Sequence, residues 1–178
     1  MGLGERLGGG PGAVTDTLKR SFPPVVDATT RVLVLGSLPG ERSLAEQRYY
    51  AHPQNQFWRL MSPVAGRDLV PLAYAERLAA LQASGIGLWD VVAQARRTGS
   101  SDAAIRDLAA NDLAALVATL PQLRAIGFNG GTALRHGRAQ LGEAAAHYAI
   151  VALPSSSPLH TVGVAAKQKA WLALADYL

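Results

Sequence analysis

Apolar residues along this chain fall into two kinds of run. Arg31 to Leu35, Ile86 to Val92, Leu123 to Phe128 and Tyr148 to Leu153 are short, nearly unbroken and rich in branched side chains, as expected of strands covered on both faces. Between them apolar residues recur at helical spacing over Leu72 to Ser84, Gly130 to Leu141 and Val164 to Leu178. Ser101 to Leu120 reads the same way, opening on the cap candidate Ser101 and dividing near Asn111, which can cap a second helix. Strands that alternate with helices need crossover connections, and crossovers imply parallel pairing. The pattern predicts an α/β fold, a single-domain three-layer αβα sandwich around a central, mainly parallel four-stranded sheet. The loops that follow Leu35, Phe128 and Leu153 then lie at the carboxyl ends of strands, the edge where open α/β sheets bind ligands.

Composition narrows this picture. The 178 residues, 49% of them hydrophobic, suit one domain with a sizeable core. Residues 1–20, with Gly at 2, 4, 8, 9, 10 and 12, read as a flexible tail, and 21–178 as the folded domain. No apolar run approaches the ~18 to 20 residues that span a bilayer, and the N-terminus lacks the apolar core of a secretory signal, so a cytoplasmic location is expected. Without cysteine the chain has no disulfide, thiolate-bound metal or thiol nucleophile. The four histidines show no ligand spacing with carboxylates, so neither a metal nor another cofactor is expected. A formal charge of +4 permits a polyanionic partner without demanding one, because the basic residues are scattered. Nothing in the sequence calls for a membrane or a dimer, and a monomer is expected.

Candidate chemistry concentrates in two loops. Gly36-Ser-Leu-Pro-Gly40 turns the chain after the first strand, and the segment to Trp58 then sets Tyr49, Tyr50, Phe57 and Trp58 among His52 and Asn55. Such a loop offers stacking surfaces and hydrogen-bonding groups to a planar, polar ligand. Asn55 also suits a helix cap before Gln56-Phe-Trp58, Asn129 before Gly130-Gly131 also suits a turn, and adjacent aromatics such as Phe57 and Trp58 commonly fill cores. Ser155, Ser156 and Ser157 lie between Pro154 and Pro158, where small hydroxyls and free N–H groups either turn the chain or grip phosphate. Asp90, after Trp89, is a loop or cap residue, or a support for Asn55 or a basic side chain.

Two segments, Gly-Ser-x-Pro-Gly … Tyr-Tyr-x-His-Pro-x-Asn-x-Phe-Trp over 36–58 and Leu-Pro-Ser-Ser-Ser-Pro-Leu-His over 153–160, together with Gly127-Phe-Asn-Gly130, resemble the uracil-DNA glycosylase superfamily. The resemblance spans roughly residues 28 to 174 and is strongest to the hypoxanthine-DNA (deoxyinosine) glycosylase branch. It implies a monofunctional DNA-repair glycosylase that extrudes a deaminated base, hypoxanthine with uracil as a second candidate, hydrolyses its glycosidic bond and leaves an abasic site; the implied partner is single-stranded or duplex DNA, in the nucleoid. Mismatch-specific relatives place a water-positioning asparagine in the first loop where this chain has Leu38, so the resemblance moves that role to Asn55. It further implies base contacts from Ser37, Leu38, Tyr50, Phe57 and Asn129, with Tyr50 stacking on the base and Asn129 pairing with its edge. His160 is implied beside phosphate or the leaving base, and Leu159 as the wedge that fills the vacated stack. Pro39, Gly40, His52, the three serines, Pro158 and Lys167, with Lys169 as a further phosphate candidate, complete the implied DNA contacts. The alternative is a non-catalytic nucleotide- or phosphate-binding α/β module, against which the loop matches neither a dinucleotide nor a Walker pattern. A serine hydrolase lacks its Gly-x-Ser-x-Gly elbow.

Overall fold

The computed structural model describes residues 17–178. Strands β2 (Val32–Gly36), β3 (Ile86–Asp90), β6 (Ala125–Asn129) and β7 (Ala149–Leu153) form a four-stranded sheet in the order β3-β2-β6-β7, parallel throughout. Because side chains alternate across a strand, β2 feeds two separate cores. Val32 and Val34 join Phe57, Leu60 and Trp171 on one face, whereas Leu33 and Leu35 join Leu113, Val117 and Phe128 on the other. Helices α2 (Phe57–Ala65), α3 (Tyr74–Ala83) and α6 (Val164–Leu172) supply the first layer, and α4 (Leu113–Ala118) and α5 (Gly131–Leu141) the second. The expected αβα sandwich is therefore present, and no helix among the described residues is long and apolar enough to cross a membrane.

A second sheet departs from expectation. Strands β1 (Thr17–Arg20), β4 (Val92–Arg97) and β5 (Arg106–Ala110) pair antiparallel in the order β1-β4-β5. Residues 17–20, expected within the tail, are thus a strand, while the rest of the expected tail lies outside the described residues. The expected strand over 86–92 divides at Val91, where Val91 N–H and Val92 N–H turn to the carbonyls of Gly36 (2.8 Å) and Ser37 (3.0 Å). The helix expected from Ser101 is only a 3₁₀ turn, Asp102–Ala104, before β5. Arg106-Asp-Leu-Ala-Ala110 has helix-forming composition, but pairing with β4 overrides that weak preference. Nor does Asn111 cap α4. Its amide donates to Asp90 O (2.8 Å) and Ser21 Oγ (3.1 Å), and Asp112 accepts from Ala115 N–H instead.

Candidate active site

Parallel register brings Gly36 beside Asp90 and Asn129 beside Leu153 at the carboxyl edge of the sheet. The loops leaving these strands enclose a cavity of about 400 Å³ that receives residues from both sequence segments.

The floor of the first loop is fixed from the second sheet. Arg97, with no exposed surface, donates to Leu38 O (3.4 Å), Pro39 O and Gly99 O (3.0 Å), so one guanidinium satisfies three carbonyls of tight turns. Ser37 Oγ donates to Asp102 Oδ1 at 2.6 Å, and Arg97 lies 3.8 Å from the same oxygen. Leu38 borders the cavity, but its side chain is buried with Val92 and Ala95, which makes it the anchor of the loop. Pro39 and Gly40 form the rim, continued by α1 (Glu41–Glu46), where Lys19 bridges Glu41 (2.9 Å) and Gly99 O (2.6 Å).

Tyr50 adopts φ 53°, a left-handed conformation that costs a non-glycine residue of order 1 kcal/mol or more and is tolerated where surrounding contacts enforce it. Those contacts are Trp58 Nε1–H donating to its carbonyl (3.3 Å) and Phe57 stacked at 3.8 Å, 11° from parallel. Phe57 itself is fully buried and takes no part in the cavity wall, which corrects its expected place as a base contact. It backs the ring that lines the wall. Tyr49 and Trp58 are core residues in the same cluster.

Asn55 reaches the cavity and accepts Phe57 N–H at 3.0 Å through Oδ1 from one residue ahead of Gln56, which is the N-cap of α2 in place of the expected Asn55, and one lone pair of that oxygen is left for another donor. His52 lines the cavity from an exposed position, with Nδ1 accepting Gln54 N–H (3.1 Å).

Asn129, at the end of β6, joins the two loops. Its Nδ2 donates to Ser156 Oγ (2.9 Å) and Tyr50 Oη (3.3 Å), and its Oδ1 accepts Ser156 N–H (2.9 Å). Both amide protons are therefore engaged within the protein. Ser156 is buried and its carbonyl accepts Gln56 N–H (3.0 Å), while Ser155 Oγ accepts Ser157 N–H (3.1 Å) and Ser157 Oγ accepts Leu159 N–H (3.2 Å). Ser155, Ser157, Pro158 and His160 border the opening, and Leu159 projects there with 64% of its surface exposed. Lys167 does not reach the surface. It is completely buried, donates from Nζ to His160 O (3.1 Å), and its ammonium pKa is lowered by desolvation, which corrects its expected role as a phosphate contact. Lys169 lies two residues past it, in the last turn of α6.

Asp90 is the electrostatic focus. It is 3% exposed and borders the cavity, and burial, reinforced by the charge of Asp102 and opposed by Arg97, raises its carboxyl to about 7. Asp102 is itself raised, by burial, against the lowering effects of its Ser37 hydrogen bond and Arg97. Burial pushes the Tyr50 hydroxyl up as well, so it remains a neutral hydroxyl. Sequence reasoning missed Arg97 and Asp102. The available signal was Gly99-Ser100-Ser101-Asp102, a turn composition that interrupts the helical reading.

Known proteins resemble this chain in sequence and fold. The family model of the uracil DNA glycosylase superfamily matches residues 23–175. Hypoxanthine DNA glycosylase of Methanosarcina barkeri is 45% identical over 112 residues, 63% of this chain and 71% of that protein. The Methanosarcina acetivorans protein of the same name is 45% identical over 113 residues, 64% and 72% of the two chains. A solution NMR structure from Methanosarcina acetivorans, described as a candidate uracil DNA glycosylase, superposes with a TM-score of 0.79 at 38% identity, covering 89% of this chain and 97% of its own. With the family match spanning the sheet, both loops and α6, the chain belongs to the uracil DNA glycosylase superfamily.

Proposed function

We propose that this DNA glycosylase removes hypoxanthine from deoxyinosine, with uracil as a lesser substrate, and that Asn55 positions the attacking water. The observation that carries the proposal is the convergence of Asn55, Tyr50 and the Asn129-held serine loop on one cavity at the carboxyl edge of the sheet, together with 45% identity to proteins named for hypoxanthine excision. Breaking an N-glycosidic bond builds positive charge on the sugar and negative charge on the base, so catalysis needs an oriented water more than a strong nucleophile. Asn55 Oδ1, with one lone pair on Phe57 N–H, accepts a hydrogen bond from water with the other. Water oxygen then bonds to C1′ as the bond to the base breaks, its electron pair passing to the base and the water proton to solvent.

The extruded base stacks on the ring of Tyr50, whose other face is covered by Phe57. Stacking of this kind is worth ~1 to 3 kcal/mol per base and accepts purines and pyrimidines alike. Leu159, 64% exposed, fills the gap in the duplex, while Ser155, Ser157, Pro158, His160, His52, Pro39 and Gly40 around the opening meet the backbone. The protein acts on nucleoid DNA as a monomer.

The test is alkaline cleavage of labelled oligonucleotides that each carry one hypoxanthine, uracil, xanthine or ethenoadenine. Hypoxanthine should be excised fastest, and Asn55→Ala should slow single-turnover excision by ~10²-fold or more while sparing DNA binding, because water positioning counts only in the transition state. No excision of any base would overturn the reading. Retention of more than about a tenth of the wild-type rate by Asn55→Ala would move the water elsewhere.

A further inference from the structure

Among the described residues, one buried polar atom at the cavity has no hydrogen-bond partner, Oδ2 of Asp90. Buried carboxyl oxygens are almost always hydrogen-bonded, and an orphan at a cavity wall points to a ligand that completes it. The backbone and side-chain amides beside it are committed elsewhere, and Tyr50 Oη, which accepts from Asn129, makes no hydrogen bond to Oδ2. Val91 and Val92 N–H go to the carbonyls of Gly36 and Ser37, and the Asn111 amide goes to the backbone carbonyl of Asp90 rather than its carboxyl. The charged and titratable groups that face Asp90 are Asp102 from the 3₁₀ turn, Arg97 from β4, and Tyr49 and Tyr50 from the first loop. Arg97 spends its guanidinium on the carbonyls of Leu38, Pro39 and Gly99. The chain also clears room for this carboxyl, since a Cβ on Gly36 would meet Asp90 Oδ1 at 2.8 Å and Tyr50 Oη at 3.2 Å.

We propose that Asp90 is a catalytic residue that acts as a neutral carboxylic acid, its Oδ2–H donating a hydrogen bond to an acceptor atom of the extruded base. This rests on the glycosylase reading above. A carboxylate at this position would be desolvated, unpartnered and close to Asp102, all of which favour the protonated form and agree with the upward shift of its pKa. Hypoxanthine carries acceptors at O6, N3 and N7, and all of them become richer in electrons as the C1′–N9 pair moves into the ring. A fixed O–H donor therefore binds the transition state better than the substrate. The role is distinct from that of Asn55, which acts on water.

Single-turnover excision of hypoxanthine by wild type, Asp90→Asn and Asp90→Ala from about pH 5 to about pH 9 tests the assignment. The wild-type rate should fall as pH rises through about 7. Asp90→Ala should lose ~10²-fold or more at low pH. Asp90→Asn, whose amide still donates but does not titrate, should recover most of that loss with a profile that no longer falls through this range. A wild-type rate that rises through the same range, or an Asn variant as poor as the Ala variant, would make Asp90 a base and overturn the proposal. So would an Ala variant within about threefold of wild type. The wild-type profile needs no variant to fold, and binding to abasic-site DNA by both variants checks that the site is intact. A wild type that excises none of the bases fails the glycosylase reading itself, a result separate from any outcome among the variants.

Discussion

Asn129→Ala tests whether the amide at the end of β6 builds the site or reads the base. The side chain makes three hydrogen bonds, two to Ser156 and one to Tyr50. Ser156 is 1% exposed, so its N–H loses its acceptor where water has little access, at a cost of ~1 to 3 kcal/mol. The bonds to the two hydroxyls contribute ~0.5 to 1.5 kcal/mol each, giving roughly 2 to 6 kcal/mol in all. Ser156→Ala removes only the Oγ contact and should cost ~0.5 to 1.5 kcal/mol. Urea unfolding of both variants gives the comparison through midpoints at unchanged m-values. The reasoning fails if Asn129→Ala costs no more than Ser156→Ala. Excision carries a second reading of the same variant. With both amide protons engaged internally, loss of Asn129 should displace Ser156 and Tyr50 together and slow every base by a similar factor. Unequal losses between hypoxanthine and uracil would show that the amide exchanges partners and pairs with the base edge.

Asp90→Asn should also change stability with pH. The folded carboxyl titrates near 7 against an ordinary 3.8 for aspartate; the stability linked to this group is thus full below about 4 and is lost as pH rises through about 7, so the Asn variant should gain on wild type by up to roughly 4 kcal/mol at about pH 8, and a difference equal at about pH 5 and pH 8 in urea melts would refute the shift. Leu159→Ala should leave the melting temperature unchanged, since the side chain is 64% exposed, yet slow excision increasingly from single strands to mismatched to fully paired duplexes; a penalty independent of pairing would leave Leu159 as loop packing. Gly137→Ala should destabilise by ~1 to 3 kcal/mol in thermal melts despite the ~1 kcal/mol gain in helix propensity, because its Cβ would sit 2.0 Å from Phe128 Cε1; a stabilised variant would mean the Phe128 ring moves freely.

The parallel sheet was legible because Val32 to Leu35 and Ala125 to Phe128 are apolar without interruption, a pattern that only a strand buried on both faces requires. The loops of the site were legible because they interrupt those runs with Gly, Pro, Ser and Asn. What the sequence concealed depends on side-chain direction. Phe57 and Tyr50 are both aromatic, and only the packing of α2 decides that one lies beneath the other. Lys167 looked like a surface cation because lysine is rarely buried, but the chain turns back over it so that His160 O caps its ammonium. Val92 to Ala110 hid the second sheet, since Ala, Arg, Asp and Leu carry helical preference and the pairing that defeats it is non-local.

That hidden sheet explains how a loop with Leu38 in place of a polar residue remains ordered. Gly36 to Gly40 has few side chains able to hold it, and with residues 36–39 buried its carbonyls need donors from within the protein. The chain supplies Arg97 instead, and then neutralises a buried cation with Asp102 while Ser37 occupies the carboxylate from the other side. The same negative charge on Asp102 disfavours ionisation of Asp90. Fixing the loop and setting the protonation of the cavity carboxyl are therefore one electrostatic arrangement: removing the Asp102 charge relaxes Asp90 toward ionisation and unpairs Arg97, whereas removing Arg97 frees the loop carbonyls and pushes Asp90 further toward its neutral form.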